Sequence, residues 1–260
     1  MGRIAAGVEY DGSGFAGWQY QNGQRTVQDS LQTALSSIAN HPVSVITAGR
    51  TDAGVHAVCQ VVHFDVDADR KPYQWLRGTN TLLPDDISLL WLKQTAEDFH
   101  ARFTAINRSY RYIVLNRPTP PALYHGKVGW DRRSLDDDIM RAACAPLIGV
   151  HDFSSFRASG CHAKSPVRNL ERISIGRFAN WIWFDMVANA FLQHMVRNIV
   201  GTLIAVGAGE RSVQWPEEVL RARDRRLAGV TAPPDGLYLT SISYPERYRL
   251  PADVAEIRYW

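Results

Sequence analysis

Two successive stretches of this 260-residue chain run through the same order of elements, and that order limits the folds open to it. In the first stretch, Ile4 to Asp11 reads as a strand and Gly12 to Gly23 as a turn-rich segment. A helix is predicted from Thr26, where Thr26 and Asp29 match a capping box, and Val27, Leu31, Leu35 and Ile38 recur at helical spacing. His41-Pro42 ends it. Val43 to Thr47 and Val58 to Val66 then read as strands on either side of a polar loop. Pro72 opens another helix, and Ile87 to Leu92 closes the stretch as a strand.

The second stretch starts with a strand over Tyr110 to Leu115. Ser134 and Asp137 are placed to cap a helix carrying Leu135, Ile139 and Leu147. The polar segment Ser154 to Asn169 leads into strands at Ile173 to Phe178 and Trp181 to Val187. A long helix is predicted over Phe191 to Val206, with Leu192, Met195, Val196, Ile199 and Leu203 on one face, and Leu237 to Tyr244 is a closing strand. Strands joined by short loops, with helices as the longer links, predict an α+β fold. The expected architecture is two similar α/β halves, residues 1–105 and 106–260, each an antiparallel sheet flanked by helices, with an active-site cleft between them.

A chain of this length needs no disulfide or metal staple. Three scattered cysteines make no disulfide framework and suit a reducing cytosol. Cys161-His162 lacks the spacing of a zinc site. No apolar run approaches the ~18 residues of a membrane span, and no signal segment opens the sequence. The expectation is a soluble, cytoplasmic protein with no membrane partner.

Gly12-Ser13-Gly14-Phe15-Ala16-Gly17 has the form G-x-G-x-x-G, but a dinucleotide site needs a helix N-terminus at once and an acidic residue ~20 positions on. Trp18 to Gly23 makes a poor helix start, and nothing between Asp29 and Asp52 is acidic. The glycines are therefore expected to serve a mobile loop that presents Phe15, Trp18 and Tyr20 to a partner. Gly49 to His56 is the densest polar cluster of the first half. An Asp between two glycines with Arg50 two residues away suits a nucleophile or general base; equally, such an Asp can serve only its own turn. Net charge is only +3, yet 25 of the 29 basic residues are Arg. That bias suits an RNA surface, and a GC-rich genome would also produce it. Arg221 to Arg226 is the strongest basic run and Arg132-Arg133 a weaker one, and either could be an ordinary charged face.

GRTDAGVHA (Gly49 to Ala57) resembles the catalytic motif of the TruA family of tRNA pseudouridine synthases. VEYDGSGFAGWQ (Val8 to Gln19), FHARF (Phe99 to Phe103), YRY (Tyr110 to Tyr112), HDFSSF (His151 to Phe156), SPVR (Ser165 to Arg168) and NAFLQHMVRNIVG (Asn189 to Gly201) resemble further signatures of that family in the same order. The resemblance implies isomerisation of uridine to pseudouridine at positions 38, 39 and 40 of the tRNA anticodon stem-loop, without cofactor or metal, by a homodimer. It makes Asp52 the essential carboxylate, and three routes are open to it: attack on the base, attack on the sugar, or removal of a sugar proton. It assigns Tyr110 to stacking on the uracil and Arg50 to the space or phosphate of the flipped nucleotide. Arg197 would pair with Asp52, and Gly201 would admit another backbone. The alternative is a non-catalytic RNA-binding module of the same fold.

Overall fold

A computed structural model describes residues 2–67, 70–251 and 257–259 of the protein. The chain runs through β1 (Gly2–Tyr10), α1 (Val27–Ala39), β2 (Ile46–Thr47), β3 (His56–Val66), α2 (Pro72–Leu82) and β4 (Ile87–Gln94). It continues through β5 (Asn107–Asn116), β6 (Gly129–Asp131), α3 (Asp137–Ala142), β7 (Gly149–Asp152), β8 (Val167–Phe178) and β9 (Trp181–Ala188). α4 (Met195–Gly207), α5 (Trp215–Ala222) and β10 (Leu237–Ser243) follow. These residues form two units, Met1–Asn107 with Tyr238–Arg258, and Arg108–Leu237 with Tyr259–Trp260. The closing strand thus belongs to the first unit, although it follows the second in the chain. Among the described residues no helix is long and apolar enough to cross a membrane.

In the first unit the strand order is β4-β1-β3-β10, with β2 also paired to β3. β1 is antiparallel to both neighbours, and β10 is parallel to β3 through Tyr238↔His56 and Leu239↔Ala57. In the second unit β5, β9, β8 and β7 form an antiparallel series, and β6 lies parallel to β5. The repeated element order is thus matched by repeated pairing. In each unit the opening strand is antiparallel to a later strand (β1 to β3, β5 to β9), and that strand is antiparallel to the one before it (β2, β8).

Several element boundaries differ from the sequence expectation, each for a local reason. Thr26 is the N-cap residue of α1, but its hydroxyl makes no capping bond and is buried without a partner, so the capping box does not form. α3 is capped by Asp136, whose carboxylate accepts from the amides of Asp138 and Ile139 at 3.0 Å, rather than by Ser134. That helix stops at Ala142, and Leu147 lies in a separate 3-10 turn. α4 begins at Met195, because His194 takes a left-handed conformation (φ 63°) that breaks the helix predicted from Phe191.

β3 is buried along nearly its whole length, because both faces of its sheet are covered. On one face Phe64 meets Trp75 of α2, with ring centroids 6.0 Å apart. On the other, Ala5, Cys59 and Val61 pack with Phe99, Ala101 and Tyr248. His63 belongs to this second face. Its Nδ1 accepts the Ala101 amide at 3.1 Å, and its ring lies 4.7 Å from that of His100. Burial, then the proximity of His100 and Arg3, pushes the His63 pKa down from 6.5 to about 4, against the opposing pull of Asp65.

Protonating such a histidine favours the unfolded chain. Its contribution to stability is complete above pH 6.5 and is lost as the pH falls toward 4. His63→Asn keeps a hydrogen-bond acceptor that does not titrate. The urea midpoint of the wild type is expected to fall more steeply than that of the variant between these pH values. Parallel curves would show that His63 does not carry this dependence.

Candidate active site

The loop between β2 and β3 is held in place by the glycine-rich segment after β1. Val55 N–H donates to Asp52 O at 3.2 Å, and Gly54 has φ 79° while Ala53 does not adopt positive φ, so Asp52 opens a type II turn. The Gly12–Phe15 and Gly17–Trp18 backbones grip this turn from the side. Trp18 N–H donates to Thr51 O at 3.0 Å and Gly54 N–H to Phe15 O at 3.4 Å. A Cβ on Gly12 would stand 2.0 Å from Val55 O, and one on Gly17, itself at φ 99°, would stand 2.9 Å from Thr51 O. Both positions therefore require glycine. The segment is a bracket for the Asp52 turn, and the expected mobile loop presenting Phe15 and Trp18 is corrected, since both side chains are buried and only Tyr20 is exposed.

Buried polar contacts fix the loop's flanks. Tyr10 Oη and Thr51 Oγ1 share a hydrogen bond of 2.7 Å, and burial pushes the Tyr10 phenol up to about 12, so it is neutral near pH 7. Gln60 Nε2 donates to Gly49 O at 2.6 Å. The Gly12 amide donates to His56 Nδ1 at 3.0 Å. An amide can only donate, so Nδ1 accepts, and the neighbouring Asp11 Oδ1 takes its hydrogens from the Ser13 amide and hydroxyl. The His56 ring stacks on Tyr238 at 4.6 Å. Within this framework Asp52 is half-buried and Arg50 exposed.

Tyr110 and Arg197 belong to the second unit. Tyr110 pairs with Met186 on the same sheet face as Tyr112 and Phe184, but it is only half-buried, with its ring edge-on to Phe191 at 5.1 Å. Tyr112 is fully buried and donates to Pro233 O at 2.9 Å; burial pushes its phenol upward. Arg197 is half-buried on the first turn of α4. Its Nε donates to Ala232 O at 2.7 Å, while Ala232 N–H returns a bond to Arg197 O at 3.1 Å.

The segment carrying Ala232 lies directly on α4. A Cβ at Gly201 would stand 1.8 Å from Val230 O, and one at Gly229 would stand 2.7 Å from the Thr202 backbone. Gly229 N–H donates to Thr202 Oγ1 at 3.0 Å. Asn198 joins the same junction by donating to Phe156 O at 2.7 Å and accepting from Thr231 Oγ1 at 2.7 Å. Asn198 and Thr231 were not singled out from the sequence: Asn198 lies within the Asn189 to Gly201 signature but off the apolar face, and Thr231 belongs to none of the signatures. Gly201 inside the predicted helix was the available signal, since a helical glycine marks a close approach by another backbone.

The basic run Arg221 to Arg226 is not a free positive patch. Arg221 pairs with Glu217, Arg223 with Asp152 at 3.5 Å, and Arg226 with Asp224 at 2.6 Å. Arg133 of the weaker pair is held by Asp131 and Glu210, both at 2.5 Å.

A family described as tRNA pseudouridine synthase matches residues 6–104 and 143–245. The chain is 54% identical over 258 residues to the tRNA pseudouridine synthase A of Nitrosococcus oceani, covering 99% of this chain and 100% of that one. It is 52% identical over 251 residues to the protein of that name from Coxiella burnetii (96% of each chain). For Methylococcus capsulatus the identity is 53% over 251 residues, covering 96% of this chain and 93% of the relative.

The contact at Gly201 reverses an ordinary expectation. Glycine to alanine inside a helix usually stabilises by about 1 kcal/mol. Here the new methyl would displace the Val230 carbonyl, so Gly201→Ala is expected to destabilise by about 1–3 kcal/mol. Urea denaturation measures this directly, and a stabilised variant would disprove the close packing.

Proposed function

The chain belongs to the tRNA pseudouridine synthase family, and on that premise we propose that it isomerises uridine to pseudouridine at positions 38, 39 and 40 of the tRNA anticodon stem-loop, with Asp52 as the essential carboxylate. The observation that carries the residue assignment is the bracketed turn, which presents Asp52 from a backbone wedged against Gly12 and Gly17. A loop fixed in this way delivers a carboxylate to one place without reorganisation.

The reaction adds and removes no atoms overall. The bond from the ribose C1′ to uracil N1 breaks, the base turns, and C1′ bonds to C5; C5 loses a proton and N1 gains one. A carboxylate fixed beside a nucleotide drawn out of its stack can serve this sequence by attack on the base, attack on the sugar, or removal of a sugar proton. Tyr110 is assigned to the uracil face, where a half-buried ring held edge-on by Phe191 is partly fixed before binding. Arg50, exposed in the Asp52 loop, is assigned to the flipped nucleotide's space or phosphate. Arg197 is assigned to Asp52 as the cation that keeps it ionised and aimed, and its bond to Ala232 O limits its rotamers. The same reading makes the protein a cytoplasmic homodimer that uses neither metal nor cofactor.

Unmodified tRNA transcript with uridine at 38 to 40 tests this reading, with pseudouridine mapped by carbodiimide labelling and primer extension. Asp52→Asn is expected to lower turnover by about 10⁴-fold or more while tRNA binding stays within a few-fold. Tight binding without conversion by the wild type would return the protein to the non-catalytic RNA-binding class. Arg197→Lys keeps a charge but loses the planar fork, and steady-state kinetics are expected to show a larger fall in kcat than rise in KM. A pure KM effect would instead make Arg197 a binding residue.

A further inference from the structure

Among the arginines of the run 221–226, Arg225 differs from its neighbours. Arg221, Arg223 and Arg226 each have a carboxylate partner. Among the described residues Arg225 has none. Its Nη2 donates instead to two neutral acceptors, Asn198 Oδ1 at 3.0 Å and Thr231 Oγ1 at 2.9 Å, and among the described residues its Nε and Nη1 have no acceptor. The acceptors are themselves fixed, because Thr231 Oγ1 donates to Asn198 Oδ1, and Asn198, completely buried, donates to Phe156 O. The guanidinium is thus held in one orientation in a half-buried position.

A guanidinium stays charged at any physiological pH. Burial pushes the Arg225 pKa down, the sign of a cation that has lost water without gaining a counter-charge. A partly desolvated cation with two nitrogens unused is completed by an anion. Its anchors adjoin those of Arg197: Asn198 follows Arg197 on α4, and Thr231 precedes Ala232, whose carbonyl holds the Arg197 Nε.

We propose that Arg225 is a phosphate-binding residue for the backbone of the RNA substrate, engaging it through Nε and Nη1. The proposal rests on the tRNA reading above and assigns one subsite within it. Phosphate is the anion that such a substrate carries at every step, and a fixed guanidinium matches its geometry better than a mobile ammonium would.

Each phosphate contact contributes a salt-dependent increment to RNA affinity through counterion release. The test is the dissociation constant of full-length protein for unmodified tRNA transcript across about 50 to 200 mM KCl. Arg225→Gln is expected to weaken binding and to lower the slope of log Kd against log salt by about 0.7 to 0.9. Arg226→Gln removes the same formal charge from a residue already paired with Asp224, and is expected to leave the slope unchanged.

Should Arg225→Gln unfold, Arg225→Lys carries the test. Lysine keeps the charge but not the bonds to Asn198 and Thr231, so Kd rises while the slope is retained. A folded Arg225→Gln with the wild-type slope would overturn the proposal and make Arg225 a purely structural residue. So would an Arg225→Lys variant that keeps both the wild-type Kd and the wild-type slope, since the fixed fork would then contribute nothing to binding. Wild-type protein that binds tRNA with the expected slope yet forms no pseudouridine overturns the catalytic reading and leaves the phosphate site standing. Failure to bind tRNA at all overturns both.

Discussion

The rest of the first unit's site depends on two backbones pressed together without side chains between them. Gly12 and Gly17 admit the 51–55 backbone to distances that any Cβ would forbid, and the amides of Trp18 and Gly54 bond across the gap. The gain is positional. A loop of this kind lies on the surface and would otherwise sample many conformations, yet here it is tied on one side to the glycine-rich segment and on the other to β3. Buried Thr51, neutral Tyr10 and the accepting ring of His56 complete the tie.

The second unit solves the same problem with a helix. Gly201 lies inside α4, where glycine costs about 1 kcal/mol of helix propensity. That cost is offset because its missing side chain seats the 229–232 segment, which in turn receives Arg197 and supports Arg225. In both units, then, glycine marks a place where backbone rather than side chain positions the polar group. The reciprocal bonds between Arg197 and Ala232 tie side chain and segment together, so that moving either one moves the other.

Much of this was legible in the sequence, and the failures have physical causes. Strands β1, β3, β4, β8 and β9 followed from alternation and β-branched content, since each buries at least one face. The α1 start was legible but its capping chemistry was not, because the Thr26 hydroxyl is enclosed by packing that local sequence does not encode. Phe191 to His194 carries a helical pattern of apolar residues, yet His194 adopts a left-handed conformation, a tertiary constraint that overrides propensity. The G-x-G-x-x-G segment is not followed by an α-helix until Val27, and it packs against a turn some forty residues on, beyond the reach of any local pattern. Asp52, Arg50, Tyr110 and Arg197 came from the resemblance, since spacing alone left an Asp turn, a surface arginine, a strand tyrosine and a helical arginine each with an ordinary explanation.

The arginine bias shows how a structure sharpens a compositional argument. Twenty-five arginines suggest an RNA surface only if their charge is available. Many are not. Arg3 is held by Asp65, Arg25 by Asp86 and Arg111 by Asp185, each with two nitrogens on two carboxylate oxygens at 2.7–2.8 Å. Arg141 and Arg177 share Asp137. The same planar fork that suits phosphate suits carboxylate equally well, so an arginine-rich chain can spend the residue on its own folding. What distinguishes a binding arginine is therefore neither its number nor its company in sequence. A guanidinium given no carboxylate keeps its charge to be satisfied from outside, and one that neutral acceptors also hold in place and partly strip of water, as at Arg225, has its direction fixed in advance.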